Sequence, residues 1–297
     1  MNENNFAVPV IFGEVLFDCF PDGNSVLGGA PFNVAWHLQA FGLSPLLISS
    51  IGDDQLGKKV KSAMQNWDMN ITGLQLDAKH PTGSVDIVFD QGEPQYSIVE
   101  HRAYDYIDAA LLPLLAENSL LYHGSLALRN KTSREALSKL KTQHSGSIFM
   151  DVNLRDPWWQ KDYVLNLADD ADWVKLNEDE LSQLGSGAGD IESQAGQFIN
   201  RHQLHGLVIT LGAEGAIALT ENGSFAQVEP SQTLEVVDTV GAGDAFTSVL
   251  ILGLSREWPL QQTMSRAQDF ASLMVGQQGA TVHDPDFYQA KITEWCL

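Results

Sequence analysis

The stretch EVVDTVGAGDAFTSVLILGL, residues 235–254, carries an acidic, β-prone segment through Gly-Ala-Gly-Asp and into an apolar helix. Ala245, Phe246, Val249, Leu250, Ile251, Leu252 and Leu254 leave that helix apolar nearly all round, which predicts burial along its length. Its first N–H groups, near Gly241, Ala242 and Gly243, have no acceptor within the helix and must point at something. Glycines there let an anion approach the backbone, and the helix dipole adds partial positive charge. The expectation is a local anion hole that uses no lysine. Asp244, in the first turn, is then a carboxylate beside an anion site. Such a group can take a proton from an alcohol while the alcohol oxygen bonds to phosphorus, in a transition state governed by positioning and charge. It can equally be a first-turn aspartate favoured by the dipole. These residues alone leave both readings open.

Outward from this helix, short apolar runs alternate with helical patterns. VPVIFG (8–13), PLLISSIG (45–52), LLYHG (120–124), SIFMDVN (147–153), DWVKLN (172–177) and GLVITLG (206–212) read as buried strands ending in loops. APFNVAWHLQAFG (30–42), DDQLGKKVKSAMQNW (53–67) and TSREALSKLKTQH (132–144) read as helices, the first with Phe32, Ala35, Leu38 and Phe41 on related faces. The alternation predicts an α/β fold, a doubly wound, mostly parallel sheet with helices on both faces. Two stretches break it. GEVLFDCFPDGNSVLGG (13–29) reads as a hairpin around Pro-Asp-Gly-Asn. In residues 82–104, Val85, Ile87 and Phe89 share a face before a turn through QGEP and a second strand. The four short strands are expected to pair into a small separate sheet. It is either a lid that shuts water out of an active site or an edge sheet without that role. GSGAGD (185–190) is expected to join two helices.

With 17 basic against 38 acidic residues among 297, the formal charge is −21, which disfavours nucleic acid and anionic membrane surfaces as partners. The shortage of Lys and Arg hints at a salty habitat. Hydrophobic residues make up 44%, enough for a full core. Two cysteines, Cys19 and Cys296, give no disulfide framework. The N-terminal segment lacks signal-peptide character and no apolar run has the length of a membrane span, so the expected compartment is the cytoplasm. GDDQLGKK (52–59) imitates a P-loop, but with two aspartates in the loop and Lys59 where a magnesium-binding hydroxyl belongs, it reads as an Asp-capped helix. The first strand lacks the glycine turn of a dinucleotide fold. His202 and His205 are expected to face solvent, and scattered histidines offer no zinc site. HGS (123–125) reads as a strand end rather than a nucleophile, and the Asn-x-Ser/Thr triplets at Asn70, Asn130 and Asn222 carry no meaning in a cytoplasmic chain.

DTVGAGDAF (238–246) resembles the C-terminal signature of the ribokinase-like (PfkB) sugar kinases, and GGAPFNVAWHLQAFG (28–42) resembles their N-terminal signature. The resemblance covers nearly the whole chain. It implies one ribokinase-like domain over 1–297, with a lid formed by insertions at about 14–28 and 83–105. It implies Asp244 as catalytic base, with Gly241, Ala242 and Gly243 as the anion hole. Asp18, Gly28, Gly29 and Asn33 match sugar-binding positions, sensible for acceptor-rich side chains facing hydroxyls. KLNEDEL (175–181) resembles an Asn-x-x-Glu motif, so Asn177 would lie by the nucleotide and Glu180 would order Mg2+ through water; otherwise Glu180 belongs to a solvated helix face. TLGAEGA (210–216) resembles the nucleotide-binding turn, with Thr210, Gly212 and Gly215 near the ATP phosphates or ribose. Asp238 and the segment around Gly279 match a monovalent-cation site, with K+ the candidate.

GEVLFD, Ala30 within the second signature, YSIVEHRAYDYI (96–107) and DVNLRDPWW (151–159) are similar to bacterial fructokinase segments. Arg155 in the last either touches substrate or is a surface arginine. His101 and Arg102 are the only cations of the lid segment, few for a phosphorylated sugar, so the expected substrate is a neutral one. Resemblance then implies ATP-dependent phosphorylation of fructose at its primary hydroxyl to fructose 6-phosphate. The alternatives are a kinase for ribose, a nucleoside or 2-keto-3-deoxygluconate, or a non-catalytic sugar or nucleotide sensor on the same scaffold. Lid sheets in this family often pair across a homodimer, which makes a second copy a candidate partner.

Overall fold

A computed structural model of the chain describes residues 8–90, 93–117, 119–185, 187–230 and 236–297. The first strand, β1 (Val8–Phe12), leads into a hairpin of β2 (Leu16–Cys19) and β3 (Ser25–Gly28). Helix α1 (Ala30–Ala40), β4 (Leu46–Gly52), α2 (Gln55–Asn66) and β5 (Leu74–Asp77) follow, then a second hairpin of β6 (Gly83–Asp90) and β7 (Glu93–Ile98). Strand and helix next alternate through β8 (Ser119–His123), α3 (Lys131–Gln143), β9 (Ile148–Asp151), α4 (Lys161–Asp169) and β10 (Trp173–Asn177). After α5 (Glu178–Leu184) and α6 (Ile191–His202) come β11 (Gly206–Thr210), β12 (Ala216–Thr220) and β13 (Phe225–Val228). Three helices end the chain, α7 (Ala242–Ser255), α8 (Leu260–Val275) and α9 (Pro285–Trp295).

Nine strands form one sheet in the order β13-β12-β11-β10-β9-β8-β1-β4-β5, parallel except where β12 pairs with β11 and β13 with β12. Alternate residues of each strand serve opposite faces, as the pleat requires. Val10 and Phe12 pack with Leu137, Leu167 and Phe198 from α3, α4 and α6, while Ile11, Tyr122 and Phe149 pack with Phe32, Phe246, Val249 and Phe270 from α1, α7 and α8. The expected doubly wound sheet is therefore present. From β1 the chain moves outward through β4 and β5, then returns to β8 on the other side of β1. That reversal opens a crevice beyond the carboxyl ends of β1 and β8, where open α/β sheets bind ligands.

The two hairpins join into a separate sheet of order β3-β2-β6-β7, its central β2–β6 pair parallel and its outer pairs antiparallel. Val85 and Ile87 are buried on one face, as their alternation predicts. Gln91 and Gly92 of the expected QGEP turn, Ser186 of GSGAGD and Glu235 of the opening stretch lie outside the described residues. Asp54 caps α2 by accepting from Gly57 N at 2.7 Å, so GDDQLGKK is the capped helix start its aspartates suggest.

Several expectations change. Residues 236–240 form no strand: Val237 N and Asp238 N both donate to Val275 O, while Val236, Val237 and Val240 are exposed. Valine-rich sequence favours a strand only where a neighbouring strand and a packed face are available. The main sheet holds three strands beyond those expected: β5, β12 and β13. His202 does not face solvent. It is 3% exposed, lies on the buried stripe of α6 with Ala195, Phe198 and Ile199, and pairs through Nδ1 with Asp169 Oδ1 at 2.6 Å. His205 is exposed as expected.

Candidate active site

The apolar α7 is buried from Ala245 to Gly253, which fixes its axis and aims its first turn out of the sheet's carboxyl edge. Gly241 caps it at φ 81°, and a side chain there would strike Ala280, so glycine is required twice over. Gly241 and Ala242 are half-buried and Gly243 is exposed, leaving the free N–H groups of the turn beside the crevice. Asp244 is half-buried next to them. Helix α1 begins close by. Gly29 at φ 107° leaves no room for a Cβ above the Glu14 carbonyl, and its own carbonyl accepts from Asn33 N at 2.8 Å. Asn33 Nδ2 in turn donates to Asp244 Oδ2 at 2.7 Å. One hydrogen bond thus joins two segments 211 residues apart.

Burial pushes the Asp244 carboxyl above the usual carboxylate range. The Asn33 hydrogen bond opposes that shift, Asp151 adds to it, and Lys175 and Arg155 draw it back. A raised value makes Asp244 a better proton acceptor than a free aspartate. Below it, Lys175 Nζ donates to both oxygens of Asp151 at 3.0 and 2.9 Å, and Thr247 Oγ1 donates to Asp151 Oδ2 at 2.9 Å. The ammonium lies 3.9 Å from where a side chain on Gly243 would begin. Burial alone would strip its proton, but Asp151 overcomes this and holds Lys175 charged. The anion hole therefore does have a lysine beneath it, contrary to the sequence expectation, with its charge largely answered by Asp151. Neither residue stood out in the sequence. The available signal was one charged residue at an inward position in each of two adjacent apolar strands, IFMD and WVKLN, where Asp151 and Lys175 stand opposite one another.

The other anticipated residues fall around this centre. Asp18 is on β2 of the small sheet, half-buried; burial raises its carboxyl and the Arg155 guanidinium lowers it. Gly28 closes β3 against the Asn33 side chain. Arg155 is exposed and acts electrostatically on Glu14, Asp18 and Asp244 alike. Asn177 caps α5, accepting from Glu180 N at 2.8 Å, while Glu180 Oε2 accepts from Asn177 N at 2.9 Å and Oε1 from Leu154 N at 2.7 Å. Glu180 is 7% exposed, so it is not on a solvated helix face. With a backbone N–H already on each oxygen, it suits a water-mediated rather than a direct contact to a metal ion, since one lone pair per oxygen remains. Thr210 ends β11, and Gly212 and Gly215 bracket the tight turn into β12, with Gly212 exposed and open. Asp238 Oδ2 accepts from Gly279 N at 3.0 Å, bringing together the two segments matched to a cation site. Among the described residues no helix is long and apolar enough to cross a membrane.

A carboxylate at a glycine-bounded helix start, over the crevice of a doubly wound sheet and beside a small accessory sheet, defines the class of ribokinase-fold phosphotransferases. The chain belongs to the pfkB family of carbohydrate kinases, which it matches over residues 20–286. It is 31% identical to the aminoimidazole riboside kinase of Salmonella typhimurium over 290 residues, 91% of this chain and 89% of that one. It is 30% identical to the fructokinase of Klebsiella pneumoniae, covering 88% of this chain and 89% of that one. A solved fructokinase double mutant from Vibrio cholerae O395, with fructose, ADP and potassium bound, superposes with a TM-score of 0.81 at 27% identity, over 96% of this chain and 98% of that one. The protein is thus a sugar kinase, a phosphotransferase with an alcohol acceptor.

Proposed function

We propose that the protein transfers the γ-phosphoryl group of ATP to the primary hydroxyl of a neutral monosaccharide, fructose, giving fructose 6-phosphate and ADP. The observation that carries this reading is the 2.7 Å hydrogen bond from Asn33 to Asp244, which couples the residue matched to sugar binding with the residue matched to proton transfer. Asp18, Asn33 and the Gly28–Gly29 backbone would hold the sugar hydroxyls, and Arg155 would lie over the sugar or the transferred group. Asp244 would accept the hydroxyl proton as the new O–P bond forms and the bond to the ADP oxygen breaks. The N–H groups of 241–244 would meet the charge on the moving phosphoryl group, a site prepared before reaction and so costing no rearrangement. Thr210, Gly212, Gly215 and Asn177 would line the nucleotide. Magnesium, ordered through water by Glu180, would supply charge neutralisation on the phosphates. A monovalent cation held by the Asp238 carboxylate and the 279 segment would support the anion hole from behind.

The chain's similarity to an aminoimidazole riboside kinase favours one second reading, a riboside acceptor. A coupled ADP-release assay over fructose, ribose, 2-keto-3-deoxygluconate, common nucleosides and aminoimidazole riboside decides between them. Fructose is expected to give the highest kcat/KM. Preference for a riboside would replace the acceptor assignment, and binding without any ADP release would make the protein a sensor.

A further inference from the structure

Glu14 follows β1 at the switch point of the sheet and is 3% exposed. Its Oε2 has no hydrogen-bond partner among the described residues, and the same holds for Asn33 Oδ1 and Tyr122 Oη. All three belong to one neighbourhood. Asn33 is bonded to Asp244, Glu14 and Tyr122 both feel the charge of Asp244, and Tyr122 also feels that of Glu14. Buried polar groups are nearly always hydrogen-bonded, so three left unpaired in one neighbourhood argue for a polar ligand that completes them. Gly29, on the loop matched to sugar binding, packs directly on the Glu14 carbonyl. The charged and titratable groups around the Glu14 carboxyl are Arg155, Asp244, Arg129, Tyr104 and Tyr122. Of the two arginines, Arg129 is held by both oxygens of Asp105, by Val99 O and by Tyr104 Oη, with its Nη1 unpartnered among the described residues. Arg155 is exposed. A ligand seated between Glu14 and Arg155 would touch both.

We propose that Glu14 is a further specificity-determining residue of the sugar site, its Oε2 and Asn33 Oδ1 each holding a sugar hydroxyl other than the one that faces Asp244. The inference rests on the sugar-kinase reading of the site and names a contact inside it. The fructokinase-like segment GEVLFD includes this position, but the resemblance assigned it no role. A buried carboxyl suits a neutral polyol, which can donate to the carboxylate or accept from its protonated form. A second anionic group on the substrate would be repelled there by Glu14, Asp18 and Asp244 together.

The test compares wild type, Glu14→Gln and Glu14→Asp on the best sugar of the panel and on its mono-deoxy analogues. For the parent sugar, Glu14→Gln is expected to lower kcat/KM about tenfold or more, carried by sugar KM, with ATP KM unchanged. For one mono-deoxy analogue, the one missing the hydroxyl that Glu14 holds, the ratio of wild type to variant should collapse to about twofold or less. An equal ratio for every analogue, or an equal rise in ATP KM, would overturn the proposal. Loss of the folded state in both variants would assign Glu14 to the core and overturn it too. A wild type that phosphorylates no sugar removes the functional reading and this inference together, whereas an active wild type with a flat analogue series removes only Glu14.

Discussion

Asp244 accepts one hydrogen bond from Asn33 and lies in the field of the Asp151–Lys175 pair, so burial raises its basicity and these neighbours modulate it. Asp244→Asn keeps the shape and can keep the Asn33 contact by turning its amide oxygen towards the donor. Sugar and ATP affinities should therefore stay close to wild type while kcat falls by about two orders of magnitude or more, read by calorimetry and steady-state kinetics. A loss below about tenfold would make Asp244 a structural first-turn residue. Glu14 gives a second outcome at this scale. Burial raises its pKa from 4.5 to about 7. A carboxyl raised in the fold is protonated there while the unfolded chain has already ionised, so the native state loses stability as pH rises from the unfolded value to the folded one. Above that window the loss is complete, and below it there is none. Urea melts at about pH 5.5 and about pH 8 should show Glu14→Gln gaining on wild type by about 2 kcal/mol between the two. A constant difference would mean that Glu14 is ionised throughout.

Strands β9 and β10 place Asp151 opposite Lys175 on the face that α7 covers. Removing one member of a buried ion pair leaves the other uncompensated, so Lys175→Met and Asp151→Asn should each destabilise by about 3–5 kcal/mol. The double variant should lose less than the sum of the two, because neither leftover charge remains; additive losses in chemical denaturation would deny the coupling. This pair also shows where sequence reading stops. The apolar runs of β9 and β10 were plain, but register, which turns two isolated charges into partners, is a tertiary property. The antiparallel strands β12 and β13 have a visible sign in the Asn222–Gly223 turn, where Ser224 N and Oγ both bond Asn222 Oδ1. As an Asn-x-Ser triplet it carries no meaning, but as Asn-Gly between two apolar runs it marks a hairpin turn. His202 likewise completed an apolar helical stripe three and four residues after Ile199 and Phe198. By contrast, α7 and its capping glycine were legible because an all-round apolar helix after Gly-Ala-Gly-Asp admits few other arrangements. Tyr122 and Glu14 were not, since each is recognised only by what fails to meet it.

Across the whole molecule the candidate site is divided between two bodies: Asp18 lies on the small sheet, while Glu14, Asn33, Arg155 and Asp244 lie at the edge of the large one. One side of the small sheet packs on a modest apolar cluster of Leu16, Val85, Tyr104, Leu126 and Ala127, flanked by Ile98 and Trp158, and Phe17, Cys19 and Leu27 tie β2 and β3 to the margin of a larger core. The cores on the two faces of the main sheet are far larger. Local opening free energy follows the apolar area an element buries, so β2, β3 and β6 should exchange their amides earlier than β9–β11. In a chain with formal charge −21, the single Arg155 guanidinium acts on Asp18, Glu14 and Asp244 alike, so one cation serves carboxyls of both sheets. A neutral sugar bonded to Asp18 on one side and to Asn33 on the other would tie the bodies together without adding charge. Hydrogen exchange with and without saturating sugar measures this directly. At about ten times Kd, amides of β2, β3 and β6 should slow about tenfold while those of β11–β13 keep their rates, since binding to the closed form lowers the open population in proportion. Equal slowing throughout would indicate global stabilisation alone, and no slowing in β2 would remove Asp18 and its sheet from the sugar site.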